Sequence, residues 1–286
     1  MCMSAITDSC NRLATDRPAL EVGLSRRRFF KMSATAAAGA AVVAAGGAVP
    51  AIATQAPGGR VADLTHRLFV DFPGFLGGGP SISVETIFDF DTAGFLAKEW
   101  TFYEHIGTHI DPPGHFLEGM ASVDQLDVAA LVAPIVVLDL TAKAAADPNA
   151  TVELSDVKDW ERHNGRIPGG ALVCMRSGWD AKVHDGDAFR GGTGFPDLAF
   201  PGFGEEAADF LATRRHAVGL GVDTLSIDPG DSATFPVHFG FLATGGYGIE
   251  CMANLASIPE RGATALVGAV PFEGAAGGPC RVIATW

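Results

Sequence analysis

Cysteine and positive charge are what this 286-residue chain is short of, with five cysteines and 20 Lys plus Arg against 33 Asp plus Glu. The formal net charge is −13 with His neutral. Such a balance leaves nothing to neutralise a phosphate backbone, which argues against nucleic acid as a partner. No two cysteines stand as Cys-x-x-Cys, so a thiolate zinc knuckle is excluded as well. Long strongly apolar runs are also missing. The Ala- and Gly-rich stretch that ends near Pro50 carries little Leu or Ile, which speaks against a stable membrane anchor. There is no internal repeat and no interior linker.

That stretch follows Ser25-Arg26-Arg27-Arg28-Phe29-Phe30-Lys31 and closes on Pro50-Ala51-Ile52-Ala53. A basic region, a hydrophobic segment and a small-residue end describe a removable signal peptide. The paired arginines followed by Phe and Lys resemble the twin-arginine export signal of bacteria. The expectation is a leader over 1–53, handled by the twin-arginine export machinery, and a periplasmic or secreted product of residues 54–286. The leader carries six of the basic and three of the acidic residues, so the remainder stands at 14 minus 30, or −16. Cys2 and Cys10 leave with it, and Cys174, Cys251 and Cys280 then allow one disulfide at most.

Residues 54–286 are enough for one well-buried domain. Strands are expected at Arg60–Thr65, Ser81–Ile87 (alternating, hence half-buried) and Trp100–Tyr103. Buried strands are expected in the apolar runs Pro134–Leu140, Ala171–Arg176, Val218–Asp223 and Ala265–Val270. Helical patterns cover Asp124–Leu131, a stretch capped by Ser155 and ending before Gly165, and Glu205–Arg215, with a turn at Val237–Leu242. Residues 178–204, dense in Gly, Asp and Phe, read as a long loop bordering a pocket. The fold class is α/β or α+β, rich in sheet.

The chemistry concentrates in His105-Ile-Gly-Thr-His109-Ile-Asp111-Pro-Pro-Gly-His115-Phe116. Imidazole and carboxylate together suit a zinc- or manganese-like ion. Glycine and proline argue for one irregular backbone shape there, unlike the helical zinc-protease motif. A structural metal site would close its coordination shell, whereas a catalytic one keeps a position open for water. Gly107 serves the turn, and the Thr108 hydroxyl is expected to bond locally.

His-x-Gly-Thr-His-x-Asp-x-Pro-x-His resembles the pattern of the metal-dependent cyclase family, which includes bacterial kynurenine formamidase and isatin hydrolase. Pro113 and His115 hold that pattern's proline and last histidine. Asp223-Thr-Leu-Ser-Ile-Asp228-Pro-Gly-Asp231-Ser232, continuing to His238 and Glu250, resembles its second block. The resemblance implies a swivelling β/β/α fold, with a β-barrel-like sheet core flanked by helices, assembled as a homodimer or homotetramer. It implies His105, His109 and Asp111 as ligands of one divalent ion, Zn or Mn. Asp111 would bridge to a second ion held by His238 and Glu250. His115 would be the general acid/base beside them, not a ligand. Asp223, Asp228 and Asp231 are candidates for orienting the ligating groups.

The implied activity is hydrolysis of a small amide, arylformamidase-like, by metal-activated water. Two alternatives stand beside it. One is a mononuclear manganese-dependent hydrolase of cyclic amides or imides; the other is a metal-containing periplasmic binding protein without turnover. Formamidases place a Trp in a Trp-Pro-Gly segment against the substrate ring, and this chain has Phe72-Pro73-Gly74. Phe72, Tyr103, Phe116 and Trp179 are the expected substrate-binding residues, with Phe75 and Phe195 as further aromatic candidates.

Overall fold

The structure, a computed structural model, describes residues 59–78 and 81–286. The expected export leader lies outside them. Among the described residues no helix is long and apolar enough to cross a membrane.

In chain order the strands are β1 (Val61–Asp63), β2 (Ile82–Phe88), β3 (Ala97–Phe102), β4 (His109–Asp111), β5 (Val132–Asp139), β6 (Thr151–Val152), β7 (Leu172–Arg176), β8 (Gly202–Phe203), β9 (Gly219–Val222), β10 (Tyr247–Glu250), β11 (Ala263–Ala269) and β12 (Gly278–Thr285). The helices are α1 (Phe90–Ala93), α2 (Thr141–Ala146), α3 (Leu154–Asn164), α4 (Gly186–Arg190), α5 (Glu205–Arg215) and α6 (Pro236–Leu242).

Seven strands close into a barrel in the order β12-β11-β5-β7-β9-β10-β4, with β4 returning to β12. Strand β1 lies on β12 outside the ring. The run β5-β7-β9-β10 is parallel and the remaining barrel pairings are antiparallel. Parallel strands buried on both faces read as continuous apolar runs, which is why β5, β7 and β9 are plain in the sequence. Ile135, Val137, Leu172 and Cys174 pack into one core with Ile110, Ile249 and Val282. Val136, Leu138, Val173 and Met175 face the other way, into a second core with Val157 and Trp160 of α3, Leu211 of α5 and Phe241 of α6. The expected β-barrel core flanked by helices is what the chain forms.

Several elements differ from the sequence expectation. The Asp124–Leu131 pattern forms two short 3₁₀ turns, Val123–Gln125 and Val128–Leu131, not one helix. Helix α3 is capped by Glu153 rather than Ser155, and the Asp156 carboxylate accepts the Glu153 backbone N–H at 2.7 Å. Among the described residues strand β2 pairs only with β3, and it is largely exposed and not half-buried. Residues 178–204 contain α4 and the buried side chains of Phe189 and Phe200, and are more ordered than a loop. Cys174, Cys251 and Cys280 are buried free thiols.

Candidate metal centre

The two-residue period of the sheet builds half of the site. Strands β4 and β10 are antiparallel with Glu250 opposite His109, Ile249 opposite Ile110 and Gly248 opposite Asp111. Alternation turns Ile110 and Ile249 into the core and leaves His109, Asp111 and Glu250 on the other face. Gly248 faces Asp111 across this pair, and a Cβ there would make an ordinary contact, 3.5 Å from the Asp111 Cβ. Gly277 matters more: its missing Cβ would fall 2.4 Å from the His105 ring. Sequence reasoning passed over both glycines.

Helix α6 brings the other half. Asp228 accepts the backbone N–H groups of Val237 at 2.9 Å and His238 at 3.0 Å, and its Oδ2 also accepts the His238 Nδ1–H at 2.6 Å. The Nε2 of His238 is thereby left bare, 3.2 Å from Glu250 Oε1 and 3.6 Å from Asp111 Oδ2. His109 is fixed in the same sense: its Nδ1 lies 2.8 Å from the Gly107 carbonyl, which can only accept. Its Nε2 stands 3.4 Å from Asp111 Oδ1 and 3.3 Å from Glu250 Oε2. Gly107 has φ +64°, the left-handed turn expected of it. The Thr108 hydroxyl, however, bonds at long range, donating to the Cys251 carbonyl at 2.5 Å and accepting the His66 N–H at 2.9 Å. Of the three candidate orienting aspartates, Asp228 holds a ligand-type group. Asp223 instead accepts from Ser177 and Gly178.

His105 Nδ1 lies 2.7 Å from Asp111 Oδ1, and its ring stacks on His115 at 3.9 Å between centroids. Donor atoms of His109, Asp111 and Glu250 lie within 4.8 Å of one another, and so do those of His105, Asp111 and His115. His115 was expected beside the cluster; the fold brings it within ligand distance of His105 and Asp111. All six residues singled out in the sequence therefore converge on one place, and Asp111 belongs to both groups.

The electrostatics ask for positive charge. Burial alone would lower the His109 pKa, but the Asp111 and Glu250 carboxylates outweigh it and push the ring up to about 9. His238 is raised well above its usual value against the same burial, by Asp111, Asp228 and Glu250. Burial opposes ionisation of Asp111, yet His109, His105 and His238 hold its carboxyl well below the ordinary range. Protons on the histidines thus stand where a dication would neutralise the two carboxylates. The buried Nε2 of His109 and Oδ2 of Asp111 have no hydrogen-bond partner, a rare condition for buried polar atoms. Imidazole and carboxylate donors without thiolate suit zinc or manganese.

A cavity of about 340 Å³ opens over these groups. Tyr103, Phe116, Phe75, Phe235, Pro73 and Leu225 form its apolar walls. Tyr103 and Phe116 are thus where the sequence placed them. Phe72 and Trp179 are not. Phe72 is buried among His66, Phe69 and Phe189, and Phe75, three residues on, takes the lining position. Trp179 is buried in the same apolar cluster, with its Nε1–H on the Phe189 carbonyl at 2.7 Å. Phe195 reaches the site indirectly, stacked on Phe75 at 5.6 Å. Phe235 and Leu225 were missed although both lie in or beside the second block, because no local pattern marks which apolar residue of a motif turns toward a cavity.

The profile of the family described as Cyclase matches residues 62–229. The chain belongs to the cyclase family. The match takes in the whole His105–His115 motif and stops short of His238 and Glu250. An isatin hydrolase from Roseibium aggregatum is 31% identical over 222 residues, spanning 74% of this chain and 84% of that protein. A solved isatin hydrolase A from Ralstonia solanacearum superposes with a TM-score of 0.73 at 33% identity, covering 79% of this chain and 91% of that one. A kynurenine formamidase from Bacillus cereus is 26% identical over 151 residues, or 53% of this chain and 60% of that protein. The cyclase-family likeness therefore spans most of the barrel and its site.

Proposed function

We propose that this cyclase-family chain is a metal-dependent hydrolase that cleaves the C–N bond of a small, uncharged amide, aryl or cyclic, after export from the cytoplasm. The observation that carries this reading is the pair of unpartnered buried atoms, His109 Nε2 and Asp111 Oδ2, set among Glu250, His238 and His105 at the floor of an apolar cavity. His105, His109, Asp111, His238 and Glu250 would hold one ion, or two with Asp111 shared. A bound Zn or Mn ion supplies Lewis-acid polarisation of a carbonyl and a water of lowered pKa.

The chain's own residues do the rest. Asp228 and the Gly107 carbonyl fix the ring nitrogens of His238 and His109 so that each presents a bare Nε2 inward. Burial pushes His115 down to about 4, so its ring is unprotonated at neutral pH and able to accept a proton. It would then return that proton to the leaving nitrogen. The apolar walls exclude water from the ring of the substrate.

Two observations favour a cyclic or simple aryl amide over formylkynurenine. Apart from the ligand-type residues, the lining contains no charged side chain among the described residues to meet an ammonium or a carboxylate. The isatin hydrolases cover 74% and 79% of this chain, against 53% for the Bacillus cereus kynurenine formamidase. The test is a screen of N-formyl aryl amines and cyclic amides and imides with metal-quantified protein. His115→Ala should reduce turnover by about 10²–10⁴-fold while metal content stays constant. Full metal occupancy without turnover of any such amide would defeat the reading, and unchanged turnover in His115→Ala would remove the proton role. Export is tested separately, by fractionating cells with and without Arg26→Lys and Arg27→Lys.

A further inference from the structure

Among the described residues four non-glycine positions have left-handed φ: His216, Phe235, Cys251 and Asn254. Asn tolerates that region, and His216 terminates helix α5, a position that often takes it. Phe235 and Cys251 have neither excuse, and both line the cavity. Phe235 is the starker case. It stands at the N-cap of α6 with φ 50° and ψ 50° and offers no side-chain cap, where Ser, Asp, Asn or Gly would serve the helix better. A left-handed backbone is unfavourable for a residue with a Cβ, so something must hold a phenylalanine there.

The folded core does not explain it. Phe235 belongs to none of the three apolar clusters and keeps part of its surface open. Its ring lies instead among cavity-facing rings, 5.7 Å from Phe116, 6.2 Å from Phe75 and 6.1 Å from His238. Phe116 in turn stacks on His238 at 4.4 Å, so the aromatic wall runs up to the ligand-type residues. Strain kept at a ring that packs on cavity-facing rings, outside the apolar clusters of the core, points to a ligand.

We propose that Phe235 is a specificity-determining residue: with Phe75 and Phe116 it forms an aromatic clamp that takes the arene of the substrate and holds its carbonyl over His238 and Glu250. The cavity, about 340 Å³, is at the small end of ligand pockets and has room for a small arene and its amide. Edge-to-face and offset contacts would favour a planar arene over a saturated ring of equal size. This rests on the hydrolase reading only for what becomes of the ligand; the clamp itself is testable by binding.

The experiment titrates benzamide and cyclohexanecarboxamide calorimetrically into metal-loaded protein carrying Phe235→Gly, Phe235→Leu or Phe235→Tyr. Wild type should prefer benzamide. Phe235→Gly should weaken benzamide at least tenfold and cyclohexanecarboxamide by less than threefold, without lowering Tm, because glycine accepts the backbone freely. Phe235→Tyr should retain the preference, and Phe235→Leu should lose it. Wild type without a preference for benzamide overturns the proposal. So does Phe235→Gly that binds benzamide as wild type does, or that loses both carboxamides together with several degrees of Tm. If no amide is hydrolysed but the binding contrast stands, the hydrolase reading falls and the clamp survives; the converse result removes the clamp alone.

Discussion

Asp228 commits both carboxylate oxygens to one short stretch of chain, the N–H groups of Val237 and His238 and the ring of His238. It thereby sets where the Nε2 of His238 points and which tautomer the ring takes. Removing such a partner typically costs 10–100-fold in metal affinity. Asp228→Asn should therefore weaken metal binding by that factor with the fold intact, as read by chelator competition; unchanged affinity would show that His238 is not a ligand. Asp223 carries a different burden. Burial raises its pKa to about 6, against hydrogen bonds from Ser177 and Gly178 that pull it down. A carboxyl that binds its proton more tightly folded than unfolded stabilises the fold below the unfolded pKa near 3.8, and that contribution is lost as pH rises through about 6. The span of roughly two units corresponds to about 3 kcal/mol. Asp223→Asn should flatten the fall of stability between about pH 4 and 6.5, measured as Tm against pH beside wild type; parallel curves would reject the assignment.

At the scale of elements, the site is a meeting of β4, β10 and the start of α6, and Thr108 staples the first two. Its hydroxyl joins the His66 N–H to the Cys251 carbonyl, across more than a hundred residues of chain. Thr108→Ala leaves two backbone groups without that partner and should cost roughly 2–3 kcal/mol in a denaturant titration, with Thr108→Ser near wild type. A cost below about 0.5 kcal/mol would mean that water replaces the hydroxyl. The elements differ in how plainly the sequence announces them. Strands β5, β7 and β9 are apolar on both faces and stand out as runs. Helix α5 starts and stops at Glu205 and Arg215 as its pattern predicts. Strand β12 was missed although its burial alternates residue by residue, because Gly278, Pro279 and Arg281 interrupt the apolar signal. His105, His109, Asp111 and His115 were legible because they lie in one dense motif, whereas His238 and Glu250 were reached only through the resemblance of the second block and its continuation. The lining was not legible, since which aromatic faces a cavity is decided by register and by neighbours distant in sequence. Phe72 and Phe75 differ by three positions and end on opposite sides of that division.

At the scale of the whole molecule, the barrel is covered by α3, α5 and α6 on one side, while among the described residues the β2–β3 hairpin finds no cover along most of its length. Near its root Ile82, Val84 and Phe102 pack into the apolar cluster beneath the loops. The apolar character then continues outward onto Trp100, Phe88, Ile87, Phe95, Leu96 and Phe90, which are 43–68% exposed. A two-stranded hairpin is marginal in water by itself, and so many bare apolar side chains on one hairpin are unusual on a monomer. Six side chains with roughly 100 Å² bare apiece come to about 600 Å², close to the ~800 Å² that each partner gives a stable interface. A second copy of the chain is the occupant we propose, since a two-fold pair would cover both hairpins at once. Light scattering after size exclusion should give the mass of an oligomer for wild type and of one chain for Trp100→Glu combined with Phe95→Glu. Leu266→Glu, on the bare outer face of β11 and 43% exposed in wild type, should leave the oligomer intact. A monomeric wild type at tens of micromolar would reject the hairpin contact, and dissociation by Leu266→Glu alone would move the interface to the barrel wall.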